Sequence, residues 1–402
     1  MIRFIAADLK RLWAGSLVVV LLVALATALG VAVTLQERGL RLGSARAAEP
    51  FDLVIGAPGS ETQLVLSSVF LQAAPLPLMP GETLDTLKAD PRVAWASPIG
   101  FGDNYNGYPV VGVTPDFLAN MGTITEGTGF SKEFDAVAGA LVGLEPGAEF
   151  HPMHGADAHG EAHATIDYHV VGRLSPLGSP WDRAILVPIE AVWAVHGLHH
   201  DDDANADQAA EAGSQPEAEH DEHGEPGVPA IVVKPKTIAD AYKLRQDYRG
   251  NGTVAVFPAE VLTRLYATLG DARMILSLVA GGAQLLVAAA ILLVSVVHVA
   301  QRRRQIGALR AFGAPRASVF GIVWIEIFLL VGLGVLAGLG IGYAAARMIA
   351  NAFSSKSGII LPIEITVADL NAVGLLLVVC GAMALVPALL AYRQPPVAAL
   401  RA

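Results

Sequence analysis

Four apolar stretches, each long enough to cross a bilayer, decide what this chain can become. A hydrocarbon core about 30 Å thick needs roughly 20 apolar residues in a helix. Leu12 to Leu35, Met274 to Ala300, Val319 to Ala346 and Asn371 to Ala391 all reach that length. Backbone amides in lipid must be satisfied within their own segment, so each stretch is predicted to be a transmembrane helix. The 402 residues are 53% hydrophobic and only 16% charged, outside the usual range of soluble domains.

Charge near the ends of these helices predicts their direction, because Lys and Arg beside a span stay on the cytoplasmic side. Arg3, Lys10 and Arg11 precede the first helix; Arg302, Arg303, Arg304, Arg310 and Arg316 follow the second; Arg393 and Arg401 follow the fourth. Both termini are therefore expected to be cytoplasmic. The expected order is a cytoplasmic N-terminus and helix 1 over 1–35, an external α+β domain over 36–272, helix 2 over 273–300 and a cytoplasmic segment over 301–318. Helix 3 over 319–347, a short external loop over 348–370, helix 4 over 371–391 and a cytoplasmic tail over 392–402 complete it. The basic start, the apolar run and Ala45-Arg46-Ala47 also imitate a cleavable signal peptide. The run is longer than the usual 7–15 residues, roughly, and the small-residue site lies well past its end, so an uncleaved first helix is expected.

Within the external region, Phe51 to Ile55, Tyr108 to Val113, Ile166 to Gly172, Ala184 to Pro188 and Ile231 to Val233 read as strands, rich in β-branched and aromatic residues between Gly and Pro. Gly81 to Ala89, Ile238 to Tyr248 and Pro258 to Thr268 read as helices, which makes the domain mixed α+β. The single Cys380 falls in the fourth span, so the domain has no disulfide and must rely on its own core.

Ten of the eleven histidines lie between His151 and His223. One group is His151, His154, His159, His163 and His169; the other is His196, His199, His200, His220 and His223, with Asp201, Asp202, Asp203, Asp221 and Glu222 among them. Imidazole and carboxylate are ligands for Zn²⁺ and related ions. From about 198 to 228 the composition turns to Asp, Glu, His, Ala and Gly, which predicts a mobile loop. Two readings stay open: a loose, multi-site metal-collecting loop, and a solvated acidic loop with incidental histidines. The pattern selects no single tetrahedral site.

The segment after the second span reads Gln301-Arg-Arg-Arg-Gln-Ile-Gly-Ala-Leu-Arg-Ala-Phe-Gly-Ala-Pro-Arg316, with Ile306, Leu309 and Phe312 on one face of a short basic amphipathic helix. On charge alone it is a positive-inside anchor. The string closely resembles the coupling segment of the MacB/FtsX-like ABC transporter permeases, the type VII or mechanotransmission class. The ending Pro395, Pro396, Ala399, Leu400 and Arg401 is similar to the closing tail of that family. Val111-Gly-Val-Thr-Pro-Asp-Phe117, and Val170-Val-Gly-Arg-Leu with Gly178, Asp182 and Val187-Pro188, resemble segments of its external domain.

The resemblance implies a membrane α-helical fold, one plus three helices, with a large α+β extracytoplasmic domain of the MacB periplasmic core type. It implies a multi-pass permease of the bacterial inner membrane that pairs with itself or a related permease and rides on two ABC ATPase subunits. By matching positions, Arg303, Arg304, Ile306, Gly307, Leu309, Arg310 and Gly313 would face the ATPase. ATP and Mg²⁺ are expected on that partner, since the chain has no Gly-x-x-x-x-Gly-Lys-Ser/Thr loop. A periplasmic adaptor or metal-binding protein is a further implied partner. Phe51-Asp-Leu-Val-Ile-Gly56, Gln63-Leu-Val-Leu66 and the His-rich insertion are similar to a subgroup associated with zinc limitation, which implies zinc acquisition or handling of a zinc-dependent envelope component.

In the third span, Gly334, Gly338 and Gly342 recur every four residues, a face where another helix can approach closely, and Gly332 and Gly340 are expected to widen it. Glu326 in the same span needs water or a partner and reads as a conformational element. No hydrolase elbow or His-Glu-x-x-His pattern is present, so an enzyme is not expected, and an acidic external domain is a poor ligand for nucleic acid. Two other classes remain: a membrane-anchored metal-binding or sensing protein, and a scaffold like the FtsX cell-division proteins, which activate envelope hydrolases.

Overall fold

The computed structural model describes residues 10–72, 74–155, 166–196, 226–250, 252–268 and 313–393, apart from residue 12, together with Met274, Leu278, Gly281, Gly282, Leu285 and Ala289. The chain divides into two compact units: Met1–Arg41, Thr268–Ala352 and Leu361–Ala402 form the first, Leu42–Ala267 and Phe353–Ile360 the second.

The first unit contains the apolar helices. Among the described residues, three helical stretches are long and apolar enough to cross a membrane: Trp13–Ala48, Arg316–Ser357 and Val367–Leu389. The second expected span, 273–300, lies outside the described residues save for single positions. Helix α1 (Trp13–Ala48) continues well past the expected boundary at residue 35. No proline interrupts Gln36 to Arg46, and the chain leaves the helix only next to Pro50, which disfavours helical geometry in the residue before it. The Arg316–Ser357 helix likewise passes the expected boundary at 347, so residues 348–357 of the anticipated 348–370 loop are helical. It stops where Gly358 adopts φ +77°, the left-handed conformation that glycine supplies at helix ends. The last apolar stretch is broken between Val367–Met383 and Leu385–Tyr392.

The glycines at 334, 338 and 342 meet α1. A Cβ on Gly334 would lie 2.6 Å from Val23 Cβ, one on Gly338 2.6 Å from the Ala24 carbonyl oxygen, and one on Gly342 2.7 Å from the Ala28 carbonyl oxygen. The two backbones touch along this stripe. Gly332 and Gly340 do not widen it: among the described residues nothing lies within 4 Å of a Cβ at either, because residues two apart point to different sides of a helix. Val19 and Val23 of α1 and Val331 and Val335 opposite are buried, flanked by Val373, Leu376 and Cys380 of Val367–Met383. Leu17, Leu21, Leu25, Leu333, Leu336, Leu375 and Val378 remain exposed, as lipid-facing residues do. Arg38 makes a bidentate pair with Asp369, two N–H···O bonds of 2.7 Å, and Asp369 also accepts from the Thr366 amide at 2.7 Å.

The second unit is α+β, as expected. One sheet is antiparallel, ordered β12 (Val254–Val256), β1 (Leu53–Gly56), β11 (Ala230–Pro235), β2 (Val93–Pro98). Every residue of β1 is buried, consistent with its unbroken apolar run between two neighbours. The other sheet is mixed, ordered β5 (Ile124–Gly127), β9 (Tyr168–Leu174), β6 (Asp135–Ala138), β10 (Ile185–Pro188), β4 (Tyr108–Val113), β3 (Gly100–Tyr105), β8 (Met153–His154), with β7 (Glu149–Phe150) beside β9. Strands β10 and β4 run parallel, as do β6 and β9. Short helices begin where a hydroxyl caps a free amide: Ser60 accepts from Gln63 before Glu61–Ser68, Thr114 from Phe117 before Pro115–Met121, and Thr237 from Asp240 before Ile238–Asp247.

Four aromatic rings cluster in this unit. Trp181, fully buried, lies 5.8 Å from Phe51 and 4.9 Å from Phe117, with Trp95 edge-on to Phe117 at 5.9 Å. Its Nε1 donates to the Val69 carbonyl at 3.0 Å.

Trp181→Ala is expected to destabilise the domain by about 3–5 kcal/mol, and Trp181→Phe by distinctly less, because the ring stays and only the buried indole donor is lost. In the membrane unit, Gly338→Leu is expected to cost about 1–3 kcal/mol through overpacking against α1, and Gly338→Ala less. Thermal unfolding of the purified chain in detergent checks both; a Gly338→Leu chain as stable as the parent contradicts the packing described.

Candidate functional site

The side-chain cluster with metal-ligand chemistry in the described residues is Asp103, His154 and His196, with one ligand atom from each lying within 4.8 Å of the others. All three belong to the second unit. Strand β3 carries Asp103, and the short strand β8 pairs antiparallel to it, with Asp103 opposite His154 and Asn104 opposite Met153. The pairing is pinned from both sides: the Gly155 amide donates to the Gly102 carbonyl at 2.8 Å, and the buried Asn104 amide group donates to the Gly155 carbonyl at 2.7 Å. His196 arrives from another direction, as the C-cap of the helix Ile189–Val195 that follows β10.

Geometry at the cluster is centred on one carboxylate oxygen. His154 Nδ1 lies 3.4 Å and His196 Nε2 3.7 Å from Asp103 Oδ1. The Asp103 side chain is 3% exposed, His196 26% and His154 59%. The other nitrogen of His196, Nδ1, lies 2.8 Å from the Val192 carbonyl oxygen. A carbonyl only accepts, so Nδ1 carries the proton and Nε2 faces Asp103. Gly102 leaves room for this ring, since a Cβ there would sit 3.2 Å from His196 Nε2. The charge of Asp103 is felt nearby: burial first, and then Asp103, raise the pKa of the Tyr168 hydroxyl above its usual value. Beside the cluster lies a cavity of about 580 Å³ lined by Phe101, Asp103, Val192, Trp193 and His196.

Other sequence candidates fall elsewhere. His151 Nδ1 is 3.0 Å from Asp167 and His169 Nδ1 is 3.2 Å from Glu149, both exposed pairs away from the cluster. His159, His163, His199, His200, His220 and His223 lie outside the described residues, as do Arg303, Arg304, Ile306, Gly307, Leu309 and Arg310. Gly313 is described, with φ +92°, just before the Arg316–Ser357 helix. Glu326 is buried at 6% exposure within that helix. Asp103 was not among the sequence candidates: a lone carboxylate in a strand carries no spacing signal, and only the register of β3 against β8 brings it to His154.

Residues 277–396 match the family model described as FtsX-like permease C-terminal. That stretch of the chain is similar to the C-terminal domain of FtsX-like permeases. That domain covers the described apolar helices from Arg316 onward and the basic segment before them, and it agrees with the resemblance to MacB/FtsX-like ABC permeases seen in the sequence. This is a membrane protein. Its fold is membrane α-helical with an α+β domain inserted after the first helix. Among solved structures it is similar to the periplasmic region of MacB from Actinobacillus actinomycetemcomitans, 10% identical over 54% of this chain and 95% of that one, with a TM-score of 0.33. It is similar also to the extracellular domain of the noncanonic ABC-type transporter YknZ from Gram-positive bacteria, 11% identical over 51% of this chain and 98% of that one, with a TM-score of 0.29. No curated protein matches the chain.

Proposed function

We propose that this chain is the permease subunit of an ABC transport complex, with the nucleotide bound and hydrolysed on a separate ATPase subunit. The observation that carries the reading is the family match over 277–396, since the matched region contains the basic segment 301–318 between two spans. In this reading Arg303, Arg304 and Arg310 supply directional contacts to carboxylates and carbonyls of the ATPase, Ile306 and Leu309 seat an apolar face, and Gly307 and Gly313 allow close backbone approach. The chain sits in a bacterial inner membrane with both termini inside and the α+β domain outside, following its positive charges.

The coupling is mechanical. Helical backbone is unbroken from Trp13 to Ala48 and from Arg316 to Ser357, about 54 and 63 Å at 1.5 Å per residue, longer than a bilayer core. A rigid helix displaced at its cytoplasmic end carries that displacement through the membrane without a hinge. The work is delivered to the external domain, acting on an envelope-side substrate or partner, with zinc acquisition as the narrower possibility raised by the histidine-rich sequence. The complex is built on two permease copies, identical or related.

A chain with Arg304, Leu309 and Arg310 all replaced by Ala is expected to reach the membrane in normal amount yet lose at least tenfold of the ABC ATPase that co-purifies with the parent chain. Full retention of the ATPase by this variant overturns the reading.

A further inference from the structure

We infer that Asp103, His154 and His196 bind a single divalent transition ion of the zinc class in the α+β domain. Two imidazoles and one carboxylate are the donor set that borderline ions such as Zn²⁺ or Co²⁺ accept, and three protein ligands leave a coordination position for water or an outside donor. Bonds of about 2.0–2.2 Å place neighbouring ligand atoms about 3.3 Å apart in tetrahedral geometry. The separations from Asp103 Oδ1, 3.4 Å to His154 Nδ1 and 3.7 Å to His196 Nε2, are already near that value. The two imidazoles, whose ligand atoms lie within 4.8 Å of each other, can be drawn together by His154, whose 59% exposed side chain has room to move.

Two further features fit an ion rather than a plain ion pair. The Nδ1–H of His196 donates to the Val192 carbonyl, which fixes the tautomer and turns the Nε2 lone pair towards the carboxylate. Metal-bound histidines are held by such outer contacts. Two imidazole nitrogens also converge on one carboxylate oxygen. One divalent ion satisfies all three groups at once. The neighbouring cavity supplies space for the remaining ligand, so a small molecule with a carboxylate, thiol or imidazole donor can complete the coordination there.

The three ligands named here all lie among the described residues, and the site stands whether or not the permease reading holds. The test uses the full chain, purified in detergent through a tag without histidines, with Co²⁺ and Zn²⁺ as probes. In a background with His159, His163, His199, His200, His220 and His223 changed to Gln, one equivalent of Co²⁺ is expected to bind and to give the strong visible absorption of a four-coordinate site. Adding His154→Ala, a change at an exposed position that leaves the core intact, is expected to weaken binding at least tenfold; adding His196→Ala as well abolishes it. Absence of Co²⁺ binding in the background chain, or equal binding in the background and the His154→Ala, His196→Ala chains, overturns the site. ATPase co-purification, followed in the same samples, is expected to be unchanged and reports on the permease reading separately.

Discussion

The backbone contact between the first and third spans is the constraint on which the membrane unit depends. Inside a bilayer there is little hydrophobic gain from bringing helices together, so association rests on close van der Waals approach and hydrogen bonds. Gly334, Gly338 and Gly342 provide that approach against Val23, Ala24, Thr27 and Ala28, and any side chain at Gly338 would meet backbone rather than a flexible group. The Gln36 side chain, donating to the Ala346 carbonyl at 2.8 Å, continues the same seam. Beyond it, Arg38 and Asp369 hold α1 to the start of the last span with a half-buried bidentate pair, so removing either partner leaves the other charge uncompensated in a poorly solvated place. Segments more than 300 positions apart in sequence are thereby locked in one register.

The α+β unit solves a different problem. It has no disulfide, and its two sheets are stabilised by ordinary burial around Leu53, Ile55, Ile231 and Val233 on one side and Val110, Tyr168, Val170 and Ile185 on the other. Trp181, Phe117 and Phe51 pack together at centroid distances between 4.9 and 6.3 Å. On that rigid base β3 holds Asp103 out of solvent. A buried carboxylate is expensive without compensation, and two histidines from separate elements approach it.

Much of this was legible in the sequence because the signals were long or strongly periodic. The apolar runs marked the helices, the four-residue glycine spacing marked the face toward α1, and Tyr108–Val113 emerged as a strand with the bounds the composition suggested. The helix ends were misplaced for a physical reason: hydropathy stops at the lipid boundary, whereas α1 continues as a polar helix through Arg38 and Arg46. Gly332 and Gly340 were assigned to the wrong face because composition alone does not give rotation about a helix axis. The histidine wealth pointed to metal chemistry without choosing ligands. The choice came from tertiary register, since Asp103, His154 and His196 sit on a strand, its antiparallel neighbour and a helix end, and no local pattern connects them.

The proposed function requires one direction: the basic segment inside, the α+β domain outside, and helices running between the two compartments. Membrane-impermeant maleimide labelling of single cysteines in a Cys380→Ser background tests it directly. Ile238, 80% exposed in the α+β domain, and Ala317, at the start of the third span, are the positions to change to cysteine. The account predicts that Ile238→Cys is labelled in cells whose inner membrane is intact and that Ala317→Cys is labelled only after that membrane is permeabilised. Labelling of Ala317→Cys in intact cells, with Ile238→Cys protected, would contradict it.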